Sequence, residues 1–202
     1  MSSDPHYHPE AHEPQPHGGE RKPVKHVLMT LVLIGLIGVF VAGGIIFTGL
    51  FNVAATQQDS KPLTWVLVTT REASIRLHAR DIQAVPLEGA TRLDNGFQIY
   101  RADCAMCHTP IGRKPTRMAV GFNPQAPGFG KDADNMKAAE LFWVTKNGIR
   151  FTGMPAWKPA YSDPELWDVV AFVMTLPTMT AQDYDAIDRR LPPTPVAPVA
   201  KR

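Results

Sequence analysis

The five residues CAMCH, 104 to 108, bring together the only two cysteines of the chain and a histidine. Two thiols three positions apart, followed at once by an imidazole, form the signature of covalent haem attachment. Helical spacing sets the sulfurs of Cys104 and Cys107 beneath one edge of a haem, where each can add as a thioether to a vinyl group. His108 then brings a ring nitrogen to the iron from the same side. Two other chemistries use such thiols. A structural zinc site takes four ligands, and Cys104, Cys107 and His108 lie too close in sequence to supply three unaided. A redox dithiol sits between a strand and a helix, and no strand pattern surrounds this one. One covalently attached haem c is the cofactor these residues predict.

A sixth ligand is sought among eight methionines. Met106, Met118, Met136 and Met174 read as ordinary core or surface residues. Met154, in TGMPAW, is flanked by Gly153 and Pro155 on a stiff non-helical loop suited to presenting one sulfur. His78 is its rival. Trp157 and Trp143 are candidate cavity aromatics, and Trp143, Arg150 and Lys158 are candidate partners for the haem carboxylates. His6, His8, His12 and His17 belong to a polar amino-terminal segment and read as a solvated tail rather than a metal site. Neither a nucleophile motif nor a set of metal-bridging carboxylates appears, so an electron-transfer protein is expected rather than an enzyme.

The elements that must position these groups are helical. Leu93, Phe97, Tyr100 and Cys104 share a face in RLDNGFQIYRADCAMCH. AAELFWVTKN ends at Gly148, which suits a left-handed helix terminus. A third helix opens with Ser162 and Glu165 as a capping box, has Pro164 in its first turn and stops before Pro177. Upstream, Leu63, Val66, Leu67, Thr70, Ser74 and Leu77 fall near one face of an amphipathic helix with basic later turns. Such a helix lies on a membrane surface, docks on a partner subunit or packs on the domain that follows; the pattern leaves the three open.

In this order, CAMCH, QAPGFG, KNGIRFTGMPAW and DPELWDVVAFVMTLP resemble class I c-type cytochromes, especially the membrane-attached bacterial members. The resemblance spans about Arg92–Pro177. It implies an all-α fold with His108 as proximal ligand and Met154 as distal ligand. It further implies that Pro127 offers the carbonyl that accepts the remaining N–H of the histidine. Gly96 and Tyr100 match the first helix where it crosses the last, and Phe172 matches the aromatic packed into that crossing.

The remaining feature is VLMTLVLIGLIGVFVAGGIIFTGLF, Val27 to Phe51, which carries no ionisable side chain. A helix needs about 20 apolar residues to cross a membrane, whereas a signal peptide's apolar run is only about 7–15. A retained anchor is expected over cleavage after Ala54 or Ala55. Arg21, Lys22 and Lys25 precede the span, and the next lysine after it is Lys61. The positive-inside rule therefore puts the amino terminus in the cytoplasm and the haem domain in the periplasm of a bacterial inner membrane. Gly35, Ala42 and Gly49 recur every seven residues with Gly38 on the same face, a small-residue seam suited to a partner transmembrane helix.

The expected organisation is a disordered tail (1–23), an anchor (24–52), an amphipathic helix and linker (53–91), a cytochrome c domain (92–180) and a proline-rich tail (181–202). Net charge is +2. No basic run with interleaved aromatics supports nucleic-acid binding. The function expected is a membrane-tethered monohaem cytochrome carrying single electrons in a bacterial respiratory chain, alone or within an oxidoreductase. Its partners would be a quinol-oxidising complex, a dehydrogenase or a terminal oxidase. The alternative is a haem sensor of gas or redox state, whose methionine ligand is displaceable.

Overall fold

A computed structural model describes residues 22–130 and 136–193 of the chain. Most of the expected amino-terminal tail and the end of the expected carboxy-terminal tail lie outside the described residues. The chain divides into two units, one ending at Val53 and one beginning at Ala54.

The first unit is helix α1, Lys22–Thr48. Lys22 and Pro23, assigned to the tail from sequence, already belong to it. Val24–Thr48 has a mean hydropathy of 2.6 and is long and apolar enough to cross a membrane. At ~1.5 Å per residue, 25 residues reach about 37 Å, against a hydrocarbon core of about 30 Å. The hydroxyls of Thr30 and Thr48 donate to the carbonyls of His26 and Gly44, so neither is left unpaired in apolar surroundings. The seam is shorter than its sequence spacing implies. Gly49 lies beyond the helix with φ +70°, and so marks the terminus rather than continuing the face.

Among the described residues the second unit is built of helices and turns alone: α2 (Lys61–Ala79), α3 (Ala90–Ile99), α4 (Ala138–Asn147), α5 (Asp163–Val173) and α6 (Ala181–Arg190). Helix α5 is the centre. Its residues Leu166, Val170, Ala171 and Phe172 are fully buried or nearly so, each large side chain contributing roughly 1.5–3 kcal/mol relative to exposure. The expected capping box is present: the Glu165 carboxylate accepts from the Ser162 amide at 2.8 Å and from its hydroxyl at 2.6 Å.

Helix α3 crosses α5 at Gly96. A β-carbon there would stand 2.0 Å from the carbonyl oxygen of Asp168 and 2.9 Å from Cβ of Phe172. Glycine thus sets the depth of the crossing. Around it Phe97 meets Phe172 edge-on, with ring centroids 5.3 Å apart, and Tyr100 packs on the same ring at 5.2 Å. Arg92 pairs with Asp168 at 2.8 Å on the rim of the crossing.

One flanking segment departs from its expected role, and another takes one of the roles the sequence left open. Residues 181–190 are not tail but helix α6, capped by Thr180 and Asp183. Tyr184 is buried against Phe97 and Tyr100. Ion pairs Arg190–Asp94 and Arg101–Asp188 tie α6 to α3 and the turn after it. The segment's apolar content is too low for burial to be read from its pattern.

Helix α2 forms as expected and packs on α4, but by a different face. Ile75 and Ala79 are buried, and His78 stacks on Trp143 at 5.4 Å. Much of the apolar face read from sequence lies outside, with Val66, Leu67 and Leu77 about half exposed; neighbouring Trp65 is more so. The true inner face holds only one large aliphatic side chain, Ile75, among shorter or charged neighbours.

Candidate haem site

The wall that carries CAMCH is prepared by a change in helix type. At Tyr100–Cys104 the coil widens to a π-helical turn, with the Ala105 amide donating to the Tyr100 carbonyl at 2.8 Å. One extra residue per turn re-aims the side chains that follow, a device frequent at functional sites. The amides of Cys107 and His108 both return to the Cys104 carbonyl, at 3.1 and 2.8 Å. This folds the pentapeptide into a tight loop. Buried Tyr100 fixes it from below, its hydroxyl donating to the His108 carbonyl at 2.8 Å.

The His108 ring is held on two sides. Its Nδ1–H donates to the Pro127 carbonyl at 2.9 Å, and Phe129 stacks on it at 4.7 Å and 19°. A carbonyl can only accept, so the proton sits on Nδ1 and Nε2 keeps its lone pair. Burial lowers the pKa of His108, opposed by the bond to Pro127, which favours the neutral, metal-binding imidazole. Cys104 and Cys107 form no disulfide with each other. Burial, with smaller contributions from Asp103 and Cys107, pushes the Cys104 thiol up to about 12. Among the described residues no further His, Cys, Asp or Glu completes a metal-holding group.

The opposite wall is a loop hung from the end of α4. Gly148 ends the helix with φ +68°. Its absent side chain admits the returning strand of chain, since a β-carbon would lie 2.6–2.7 Å from Pro155 C, Ala156 N and Met154 O. Ile149 and Met154 are joined by an amide-to-carbonyl bond of 3.1 Å. Thr152 braces the turn inside, its hydroxyl donating to Ile149 O at 2.8 Å and accepting from the Met154 amide at 3.1 Å. The chain then runs back along α4, with Trp157 N bonded to Thr145 O at 3.2 Å and Lys158 N to Lys146 O at 3.1 Å. At the tip Phe151 has φ +63° and is almost fully exposed.

Between the walls lies a cavity of about 440 Å³, within the usual range of about 300–1,000 Å³ for a bound small molecule. Cys104, Cys107, His108, Pro127 and Met154 all line it. So do aliphatic residues from three helices: Ile75 of α2, Leu141 and Val144 of α4, and Val169 and Val173 of α5. Trp157 also lines the cavity, and its buried indole N–H has no acceptor in the protein. These features fit a large apolar ring that carries its own hydrogen-bond acceptors. Asp103 faces the same space with its carboxylate held by the Tyr161 hydroxyl.

The structure brings together all five site residues expected from sequence. The rival His78 is not among the residues lining the cavity; it stacks on Trp143 with Nδ1 2.7 Å from the Ser74 carbonyl oxygen. Trp143, Arg150 and Lys158, taken from sequence as partners for haem carboxylates, do not line the cavity either. The sequence reading missed Arg71, Glu72, Ile75 and Arg76, which do. They recur at helical spacing on one face of α2, but nothing in that spacing says which partner the face meets.

Residues 91–173 match the family described as cytochrome c oxidase, cbb3-type, subunit III. Comparison with curated proteins finds no match. Among solved structures, a chain of the Kuenenia stuttgartiensis reducing HAO-like protein complex is similar at 20 % identity, with a TM-score of 0.39. The alignment covers 47 % of this chain and 47 % of that one. Together with the CAMCH loop and the all-helical fold, the family match makes residues 91–173 a class I c-type cytochrome domain, a carrier of haem c in electron transfer.

Proposed function

We propose that this chain is a membrane-tethered monohaem c-type cytochrome passing single electrons in a bacterial respiratory chain, free-standing or as the cytochrome subunit of a membrane oxidoreductase. The observation that carries the proposal is the pairing across one apolar cavity. His108 is locked in the tautomer that frees Nε2, and Met154 lines the same cavity from a separately braced loop. Cys104 and Cys107 would hold the haem as thioethers, with Pro127 orienting the proximal ring. Haem c supplies a one-electron ferric/ferrous couple.

The chain's own residues set how that couple is used. The thioether of Met154 is neutral and soft, so it favours the reduced metal and raises the potential. As an iron ligand it would leave oxygen, peroxide and gases no place to bind, which would turn the site from bond-making towards electron exchange. The aliphatic side chains of α4 and α5 exclude water, so little rearrangement accompanies a change of charge. Tethering through α1 keeps the domain at a raised effective concentration near membrane-bound donors and acceptors. The outward apolar face of α2 supports a lie along the membrane or against a partner subunit.

Replacing Met154 with alanine tests the ligand set. The variant is expected to lose the sulfur-to-iron charge-transfer absorption of the oxidised protein and to bind carbon monoxide when reduced. An unchanged spectrum would move the sixth ligand elsewhere, and rapid carbon monoxide binding by the unmodified protein would favour a sensor. Protease added to spheroplasts tests the topology: the haem domain should be shed if it lies on the periplasmic side, and protected if it does not.

A further inference from the structure

Helix α2 lies outside the segment matched to the cytochrome family, yet it supplies part of the cavity wall. Haem carries two carboxylates, and a site that binds it needs cations or donors where they emerge. Among the described residues lining the cavity, Arg71 and Arg76 are the only lysine or arginine side chains. Buried Ile75 lies between them and fastens this face of α2 to the domain. The side chain of Arg71 is 32 % exposed and that of Arg76 is 60 % exposed, which sets both at the rim rather than in the interior.

The acidic side chains at the same cavity are already engaged. Asp103 is held by Tyr161. Glu140 caps α4 by accepting from the Lys137 amide at 3.1 Å. Glu72 stands between the two guanidinium groups at 3.5 and 3.7 Å, long contacts that steady them without using up their donors. A guanidinium offers five donors in a planar fork matched to a carboxylate.

We propose that Arg71 and Arg76 of α2 form the binding site for the haem carboxylates, so that this added helix helps set the reduction potential. The proposal rests on the haem reading above. A cation near the iron disfavours the more positive ferric state, and its removal lowers the potential. Arg80 is the internal standard: it caps the end of α2, pairs with Asp81 at 3.1 Å and does not line the cavity.

The test is the midpoint potential of the full-length holoprotein carrying Arg71→Gln, Arg76→Gln, both together, Arg71→Lys or Arg80→Gln. The double variant is expected to shift the electron-exchange equilibrium with a reference couple about tenfold towards the oxidised form, which is about 59 mV for one electron. Arg71→Lys should recover most of the single-variant shift, and Arg80→Gln should cause little. A double variant that binds haem covalently yet shifts no more than Arg80→Gln overturns the proposal and leaves the haem reading intact. Failure of the unmodified protein to retain haem in denaturant would overturn both.

Discussion

The two walls of the cavity are built in different ways. The wall with Cys104, Cys107 and His108 stands on the aromatic core: Tyr100, Phe97, Phe172 and Tyr184 lie directly beneath it, and the Gly96 crossing sets their spacing. The wall with Met154 has no such foundation. It is closed by backbone bonds to the end of α4, a threonine brace and one positive-φ glycine. Damage to the first should spread through the fold, whereas damage to the second should stay local. This arrangement lets the Met154 loop vary without cost to the framework around CAMCH.

The largest effect is expected on the first wall. Gly96→Val puts a branched side chain where even a β-carbon meets the Asp168 carbonyl at 2.0 Å. Overpacking of this kind should cost about 3 kcal/mol or more and lower Tm by on the order of 10 °C. Thermal unfolding followed by circular dichroism would measure it. A fall no greater than that of an exposed control would mean that the two helices simply slide apart.

A smaller and more local effect is expected on the second wall. Gly148→Ala puts a β-carbon on a backbone with φ +68° and ψ −174°, a region that essentially only glycine adopts, at about 1–3 kcal/mol, and presses on Met154 O and Pro155. The expected signature is loss or weakening of the methionine-to-iron absorption while cooperative unfolding survives. Equal loss of fold and spectrum would erase the distinction between the walls.

The smallest effect sharpens the comparison at its edge, where α6 buttresses the first wall. Hydrogen bonding to Arg190 holds the carboxyl of Asp94 below its ordinary value, as the Ser162 bonds do for Glu165. The unfolded chain therefore takes up protons at a higher pH than the folded one. The stability from these bonds is fully present above the ordinary carboxylate range and is lost as pH falls through the depressed folded values. Asp94→Asn should lower Tm slightly at neutral pH and leave it nearly unchanged relative to the unmodified protein in strong acid. A constant difference across that range would show that the pair contributes nothing through its charge.

Much of the site was legible because its signals are local. CAMCH, the glycine and proline around Met154, and the Ser162–Glu165 cap each occupy a few consecutive residues and act through short-range geometry. The exposed face of α2 and the docking of α6 were not legible. In α2 the larger apolar side chains face outwards and the inner face keeps charged residues, so periodicity points the wrong way. In α6, Tyr184 and a set of ion pairs to distant residues replace an apolar stripe.

By itself, the sequence determined the apolar span, the all-helical class and the CAMCH motif, and it singled out Met154 as the candidate second ligand. Those follow from chain-local chemistry: hydropathy, spacing, caps and covalent neighbours. Only the tertiary structure decided which segments close the cavity, that α2 brings two arginines to its rim, and that α6 is part of the foundation. These depend on contacts between residues far apart in the chain, such as Arg190 with Asp94 and His78 of α2 with Trp143 of α4. Such contacts are selected by packing shape and charge complementarity once the helices have docked, and no local pattern encodes them.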